Sequence, residues 1–414
     1  MQVYLVGGAV RDQLLGHPYH EKDYVVVGAT PEQLLAQGYQ PVGKDFPVFL
    51  HPETKDEYAL ARTERKSGQG YHGFEFYTDI SVTLEDDLIR RDLTINAIAM
   101  DDDGKIYDPY HGHEDLNNKI LRHVSDAFAE DPLRVLRVAR FAARYHQYGF
   151  TVAEETLALM QQLADSGELK ALTPERVWKE TSRALMERDA DVYFETLRQC
   201  GALKVLFPEI DALFGIPQRP EYHPEIDCGI HTLMSLQQAC RANYSLDVRF
   251  AVLVHDLGKA LTPKDELPRH IMHEERGVQP VNDICDRLKV PTNTKQLSIA
   301  VCKEHLKSHQ AFTLKAGTLW RFLQRLDVLR RPERVEAFIQ ACECDSRGRL
   351  GLEDRDYPQA RYLTEAMQLV RSIKASDLPA DVKGPDIGEM LIQKRIEALA
   401  ELKHRHAQLN TSTI

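Results

Sequence analysis

Strand-like sequence is confined to roughly the first 125 residues of this 414-residue chain, and helical periodicity takes over from Asp131. Short β-branched and aromatic runs (Val3–Val6, Tyr24–Val27, Val48–Leu50, Tyr58–Ala61 and Ile95–Met100) are separated by Gly, Pro and Asp turns. One helix intervenes at Pro31–Gln37, opened by Thr30 as cap and Pro31 as first helical residue. Beyond Asp131, Val135, Val138, Ala139 and Ala142 recur at helical spacing within Pro132–Tyr145, and Arg134, Arg137, Arg140 and Arg144 fall on the other side. A further helix opens at Thr173-Pro174-Glu175, Phe207–Pro220 is a proline-punctuated linker, and helices resume with His231 and run to about Arg405. Breaks fall near Pro263–Pro268, Pro291 and Pro379–Gly384. The expected class is α+β, a mixed-sheet head followed by a helical remainder. The length exceeds one compact core and implies two to four domains.

Composition narrows the function classes. Hydrophobic residues make up 43% and charged residues 28%, which supports folded cores throughout. A net charge of −11 argues against a protein that coats nucleic acid indiscriminately, while leaving room for a local basic track. The start has no basic segment followed by an apolar core, and no run of 18 apolar residues occurs. Seven cysteines without CxxC spacing fit reduced thiols. The expectation is a cytoplasmic protein that does not engage a membrane.

The first two dozen residues carry the first chemistry. Val3–Val6 leads through Gly7-Gly8 into a helix at Ala9-Val10-Arg11-Asp12, and Glu21-Lys22-Asp23 then runs into Tyr24–Val27. If Glu21 and Asp23 begin that strand, its period of two puts both carboxylates on one face, roughly 6–7 Å apart. Oxygen ligands suit Mg²⁺, a glycine turn lets backbone N–H groups approach phosphate, and Arg11 adds positive charge. A strand turn with surface acids is the alternative for this stretch taken alone.

Two further clusters extend the pattern. Arg90-Arg91-Asp92-Leu93-Thr94-Ile95-Asn96-Ala97 places Arg91 where it could meet a triphosphate and Asp92 as either a third acid or a helix cap. Glu130-Asp131-Pro132-Leu133-Arg134 reads either as a capped helix start or as a base-reading pair one turn apart. Cytosine and adenine both present an exocyclic amino donor beside a ring-nitrogen acceptor; uracil and guanine present the reverse. A carboxylate beside a guanidinium therefore accepts C and A, because the wrong base leaves a buried polar group unpaired at about 1–3 kcal/mol. Between the fourth strand and these clusters, Arg62–Gly73 combines three glycines with Arg62, Arg65, Lys66 and His72 and reads as a mobile basic loop.

Together, GGAVRD at Gly7–Asp12, ExD at Glu21–Asp23, RRDLTINA at Arg90–Ala97 and EDPLRVLRVAR at Glu130–Arg140 resemble the bacterial CCA-adding enzymes, the class II tRNA nucleotidyltransferases. The similarity covers nearly the whole chain and includes the longer subgroup with an appended HD domain. It implies a nucleotidyltransferase head over 1–125, a helical neck and body over 126–220, an HD phosphohydrolase domain over 228–329 and a helical tail over 330–414. On the family pattern Gly8, Arg11, Arg91, Arg137 and Arg140 contact ATP or CTP, Asp131 and Arg134 select the base, and Glu21 and Asp23 hold Mg²⁺. The family's metal pair is Asp-x-Asp, so Glu21 departs from it by one methylene, and small displacements at a reacting centre can cost rate.

A third constellation lies downstream, where His255-Asp256 and Gly258-Lys259 end an apolar helical run, with His231 on the helix before. This combination looks like an HD phosphohydrolase signature, in which His231, His255 and Asp256 bind metal. Asp345 is the expected fourth ligand, His305 a weaker candidate, and His270 and His273 are placed near substrate. Imidazole with carboxylate suits a transition metal such as Ni²⁺. Lys170, Arg176, Lys179 and Arg183, with Arg321, Arg325, Arg330, Arg331 and Arg334, could track RNA phosphates or simply be solvated helix faces. The resemblance implies untemplated addition of CCA to the tRNA acceptor end from CTP and ATP and, as in the longer subgroup, phosphohydrolysis of 2′-nucleotides, 2′,3′-cyclic phosphates or related esters, by a monomer or homodimer. The rivals are a poly(A) polymerase, a CC-only enzyme, which the basic loop argues against, and a catalytically silent RNA-binding protein.

Overall fold

The computed structural model describes residues 1–19, 21–42, 48–66, 74–77, 79–379 and 384–411. They form two compact units, Met1–Ala184 with Val192–Leu206, and Leu185–Asp191 with Phe207–Ile414. No helix among them is long and apolar enough to cross a membrane.

The strands of the first unit are β1 (Gln2–Val6), β2 (Asp23–Val27), β3 (Gln40–Val42), β4 (Val48–Leu50), β5 (Glu57–Leu60), β6 (Thr63–Lys66), β7 (Phe74–Tyr77), β8 (Ala99–Met100) and β9 (Ile106–Tyr107). Seven of them build one sheet in the order β3-β4-β5-β2-β1-β8-β9. It is mixed: β2 runs parallel to β5 and antiparallel to β1. Val25 packs with Tyr4, Val6, Leu84 and Leu88 on one face of the sheet, while Val26 packs with Leu34, Phe49 and Leu60 in a separate cluster. Burial on both faces explains why this stretch reads as an unbroken apolar run, and each buried valine contributes about 1.5–3 kcal/mol. The register pairs Val6 with Asp23, so the end of β1, the glycine turn and the first carboxylate of β2 are neighbours.

Three local expectations change. Strand β2 begins at Asp23, so Glu21 precedes it. Ile95–Met100 is not one strand: Thr94–Asn96 forms a 3₁₀ turn and only Ala99–Met100 joins the sheet. The cause is local polar bonding, since Asp92 Oδ1 accepts from Leu93 N at 2.9 Å and from Asn96 Nδ2 at 2.9 Å, which holds the backbone away from the ladder. Of the loop expected over Arg62–Gly73, Thr63–Lys66 is strand β6 paired with β7, and residues 67–73 lie outside the described residues.

A parallel pair of two-residue strands, Ile120–Leu121 with Thr151–Val152, leads into and out of the helix Leu133–Tyr145. That helix buries Val135, Val138, Ala139 and Ala142 as the periodicity predicts. On its arginine side Arg134 and Arg140 are buried, 8% and 7% exposed, whereas the side chains of Arg137 and Arg144 stay 35% and 42% exposed.

The second unit is helical. Helices Cys228–Arg241, Leu246–Val254, Thr292–His309, Ala316–Arg325, Pro332–Arg347 and Pro358–Ser372 and the long Asp386–Thr411 share one apolar core, in which Trp320, Phe322, Phe338, Tyr362 and Leu399 are buried. Phe207, Ile210 and Leu213, in the expected linker, are also buried, around the short helix Pro208–Asp211. All seven cysteines are buried and unpaired.

Candidate active sites

In the first unit the site grows from the turn after β1. Gly7 holds φ +67°, a left-handed conformation that a side chain disfavours, and a Cβ there would stand 3.1 Å from Arg91 Nη1. The structure thus sets Arg91 directly over the glycine turn. Arg91 Nη2 bonds Asp87 at 3.2 Å and Nη1 reaches Asn96 O at 3.4 Å, while its buried Nε has no hydrogen-bond partner. Asp87 also takes Arg90 at 2.9 Å. Burial alone would raise the Asp87 carboxyl, but the two arginines hold it below its ordinary range.

Arg11 occupies a different position. Its Nε and Nη2 donate to the two oxygens of Asp12 at 2.9 and 3.0 Å, its Nη1 donates to Asn96 Oδ1 at 2.6 Å, and its plane lies against the rings of Phe141 and Tyr145. Tyr145 in turn donates to Asp12 at 3.0 Å. Arg11 is a buried strut between the turn and the Leu133–Tyr145 helix. Three of its five N–H groups are engaged in this way, and Nη2 also lies close to the turn, 3.4 Å from where a Cβ on Gly8 would stand.

The arginines of that helix are tied just as firmly. Arg137 Nε donates to Asp92 at 2.7 Å, and Arg140 Nε donates to Glu180 at 2.7 Å. Burial would raise the Asp92 carboxyl, yet Arg137 and the Asn96 amide hold it well below the usual carboxylate range. Asp92 is therefore the partner of Arg137, held within the 3₁₀ turn. Asp131 Oδ1 accepts from Leu133 N at 3.1 Å and its carboxylate takes Arg176 Nη2 at 3.0 Å. Arg134 donates to Ala127 O and Arg90 O, both at 2.6 Å. The expected base-reading residues thus sit one helical turn apart, each with its own supports. Glu21 and Asp23 are exposed at the sheet rim. The Asp23 carboxyl is raised by loss of solvent, opposed by Arg91 and reinforced by Glu21, so all three groups act on one another.

In the second unit the helix Leu246–Val254 ends at His255-Asp256, whose neighbours come from four other segments. A Cβ on Gly258 would fall 1.9 Å from His273 O, so only glycine lets this turn approach so closely. Four imidazoles are oriented the same way by backbone carbonyls: the Nδ1 atoms of His231, His255, His273 and His305 donate to Gly348 O at 2.9 Å, Val252 O at 2.7 Å, His270 O at 2.7 Å and Cys302 O at 3.0 Å. In each neutral ring this leaves the Nε2 lone pair facing inward.

What those lone pairs meet is the decisive feature. His231 Nε2 lies 3.0 Å from Asp345 Oδ1, His255 Nε2 3.1 Å from Asp256 Oδ2, and His273 Nε2 3.2 Å from His305 Nε2. His255 Nε2 and Asp256 Oδ1 are buried without hydrogen-bond partners, while Asp256 Oδ2 meets the Lys259 ammonium at 2.5 Å. Acceptors converging on acceptors need a cation among them, and imidazole with carboxylate is the donor set of a divalent transition metal. The groups fall into two buried sets, His231, His255 and Asp345, and Asp256, His273 and His305. Asp256 reaches both, with Oδ2 toward His255 and Oδ1 3.3 Å from His273. Burial favours neutral His255, but Asp256 and Asp345 reverse this and carry it up to about 10. Burial pushes His305 down to about 3. Without a metal, then, a proton on His255 supplies the positive charge that the carboxylates demand.

The structure therefore brings His231, His255, Asp256 and Asp345 together, adds His305, and moves His273 from the expected substrate side into the ligand set. His270 stands apart, bonded to Thr262 at 2.7 Å and to Pro217 O at 3.0 Å. Sequence reasoning missed Glu225, which accepts from His223 at 3.0 Å and lies 3.1 Å from His231 Nδ1. It also missed His309, which donates to Asp345 Oδ2 at 2.6 Å. The i, i+4 pair His305 and His309 was the available signal.

Residues 3–122 match the family described as Poly A polymerase head domain, 149–214 that described as probable RNA and SrmB-binding site of polymerase A, and 229–346 the HD domain. The chain is 81% identical over 412 residues to the multifunctional CCA protein of Acinetobacter baumannii (strain ACICU), covering 100% of both. It is 78% identical over 406 residues to that of Acinetobacter baylyi, covering 98% of both, and 58% identical over 408 residues to that of Pseudomonas fluorescens, covering 98% of this chain and 100% of that one. In fold it is similar to a CCA-adding enzyme solved with ATP, with TM-score 0.64 and 20% identity over 100% of this chain and 90% of that one. A Thermotoga maritima CCA-adding enzyme solved with tRNA gives TM-score 0.60 and 21% identity over 99% and 91%.

Proposed function

The chain belongs to the multifunctional CCA proteins, and from that premise we propose that it adds CTP twice and ATP once to the 3′ end of tRNA without a nucleic-acid template, and hydrolyses phosphate esters at its HD cluster. In the first reaction the tRNA 3′ hydroxyl oxygen bonds to the α-phosphorus, the α–β bridging bond breaks, diphosphate leaves and the hydroxyl proton passes to solvent. The observation that carries this reading is the setting of Arg91 over the Gly7-Gly8 turn, beside Asp23. Glu21 and Asp23 would hold Mg²⁺, which supplies charge at the attacking and leaving oxygens. Arg91, with its unpartnered Nε, is the leading triphosphate ligand, assisted by Gly8, Arg11, Arg137 and Arg140. Asp131 and Arg134 would select C and A. Assignment of 1–125 as head, 126–220 as neck and body, 228–329 as hydrolase and 330–414 as tail remains part of this proposal, with Asp345 contributed to the hydrolase from beyond 329.

The second activity rests on the inward-facing Nε2 atoms and the partnerless Asp256 Oδ1. His231, His255 and Asp345, with Asp256, His273 and His305, would hold Ni²⁺ or a similar divalent ion. The test is incubation of the protein with tRNA lacking CCA, with CTP and ATP supplied separately and together, and in parallel with 2′,3′-cyclic AMP in Ni²⁺. Completion to CCA and hydrolysis of the cyclic phosphate are expected. Long A tails would make it a poly(A) polymerase, arrest at CC a CC-only enzyme, and no extension a silent binder.

A further inference from the structure

Around the HD cluster most side chains offer lone pairs, and among the buried donors there that lack a partner are those of Arg349 and Gln218. Arg349 follows Asp345 by four residues, just past the end of the helix Pro332–Arg347, and its side chain is 15% exposed. Its Nη2 stands 4.0 Å from Asp345 Oδ1 and its Nη1 donates to Tyr222 O at 3.2 Å, while the buried Nε has no partner. Gln218 is 2% exposed; its Oε1 accepts from Lys259 Nζ at 2.6 Å, and its buried Nε2 has no partner. Lys259 Nζ itself lies 2.5 Å from Asp256 Oδ2.

An unpaired buried donor destabilises the fold, and nothing in the fold compensates for leaving two of them beside one cluster. Tetrahedral phosphate offers acceptors to a guanidinium fork and an amide N–H together. We propose that Arg349 and Gln218 form the anion-recognition side of the hydrolytic site, donating to the non-bridging oxygens of a phosphate monoester or cyclic phosphodiester. This rests on the reading of the cluster as a phosphohydrolase. The competing role is mechanical, with Arg349 only fastening the Tyr222 segment to the helix end.

Calorimetric titration of the full-length protein with inorganic phosphate, in Mn²⁺ and with saturating CTP to occupy the nucleotide site, separates these roles. Arg349→Ala should weaken phosphate binding roughly ten- to hundred-fold, Arg349→Lys less, and Gln218→Leu measurably, with Mn²⁺ affinity and thermal midpoint unchanged. Equal phosphate affinity in wild type and Arg349→Ala overturns the proposal. So does a loss that only parallels weakened Mn²⁺ binding or a lowered midpoint across all three variants. If the wild type hydrolyses no phosphate ester while phosphate binding still depends on Arg349, the anion site stands and the hydrolase reading falls.

Discussion

The two candidate centres hold their acids in opposite ways. Glu21 and Asp23 are exposed at a sheet rim, under arginines that a network of carboxylates holds in place. His231, His255, Asp256 and Asp345 are buried, with each ring fixed by a backbone carbonyl before any ligand arrives. A centre that must admit a nucleoside triphosphate and an RNA end cannot enclose its acids, so it builds its order into the supports. A centre acting on one small phosphate group can be dry, and there every lone pair can be aimed in advance.

The contrast predicts its largest effect on the buried side. His255→Ala should reduce hydrolysis of 2′,3′-cyclic AMP by at least about 100-fold, since even outer-shell changes around a metal cost 10–100-fold, and CCA addition should continue. Loss of both activities would break the separation. Next, Arg134→Ala should relax discrimination against UTP and GTP by roughly 5- to 150-fold, the equivalent of about 1–3 kcal/mol. Thermal midpoints measured alongside account for the freed carbonyls of Ala127 and Arg90. Selection of C and A alone by that variant would show that the pair is not the template.

A smaller effect tests the supports. The Asp92 carboxyl is depressed in the folded state, so its contribution is present above the unfolded value near ~4 and lost as pH falls toward the folded one. Asp92→Asn should cost about 1–3 kcal/mol at neutral pH and flatten the acid limb of a denaturation series between about pH 4 and 2. An unchanged acid limb would mean that the Arg137 pair contributes little. The smallest change is expected from Glu21→Asp, which should match or modestly exceed the parent rate of CMP addition, because an exposed rim tolerates a methylene. A large fall would show geometry adapted to glutamate and would bring the two centres closer in kind.

Much of this was legible beforehand because it depends on neighbours in sequence. The run Tyr24–Val27, the turn Gly7-Gly8, the Thr30 cap and the stripe Val135–Ala142 follow from period and local hydrogen bonding. The extended reading of Ile95–Met100 failed where Asp92 and Asn96 bonded locally. Periodicity put Arg140 opposite the apolar stripe, but its burial and its bond to Glu180, 40 residues later, are not visible in its own stretch. His273 was placed near substrate because nothing in its own stretch announces His305, whose Nε2 it meets at 3.2 Å.

By itself the sequence determined where strands stop and helices begin, which glycines turn the chain, and which residue types could carry nucleotidyl transfer and metal chemistry. Only the tertiary structure decided which of those side chains are free to act. It converted Arg11 into a strut, left Arg91 with an unpartnered Nε, and gathered acceptors from segments as far apart as His231 and Asp345 into one buried cluster. The physical reason is that periodicity and capping act within a few residues, whereas pairing of buried charge depends on which distant partner reaches it first.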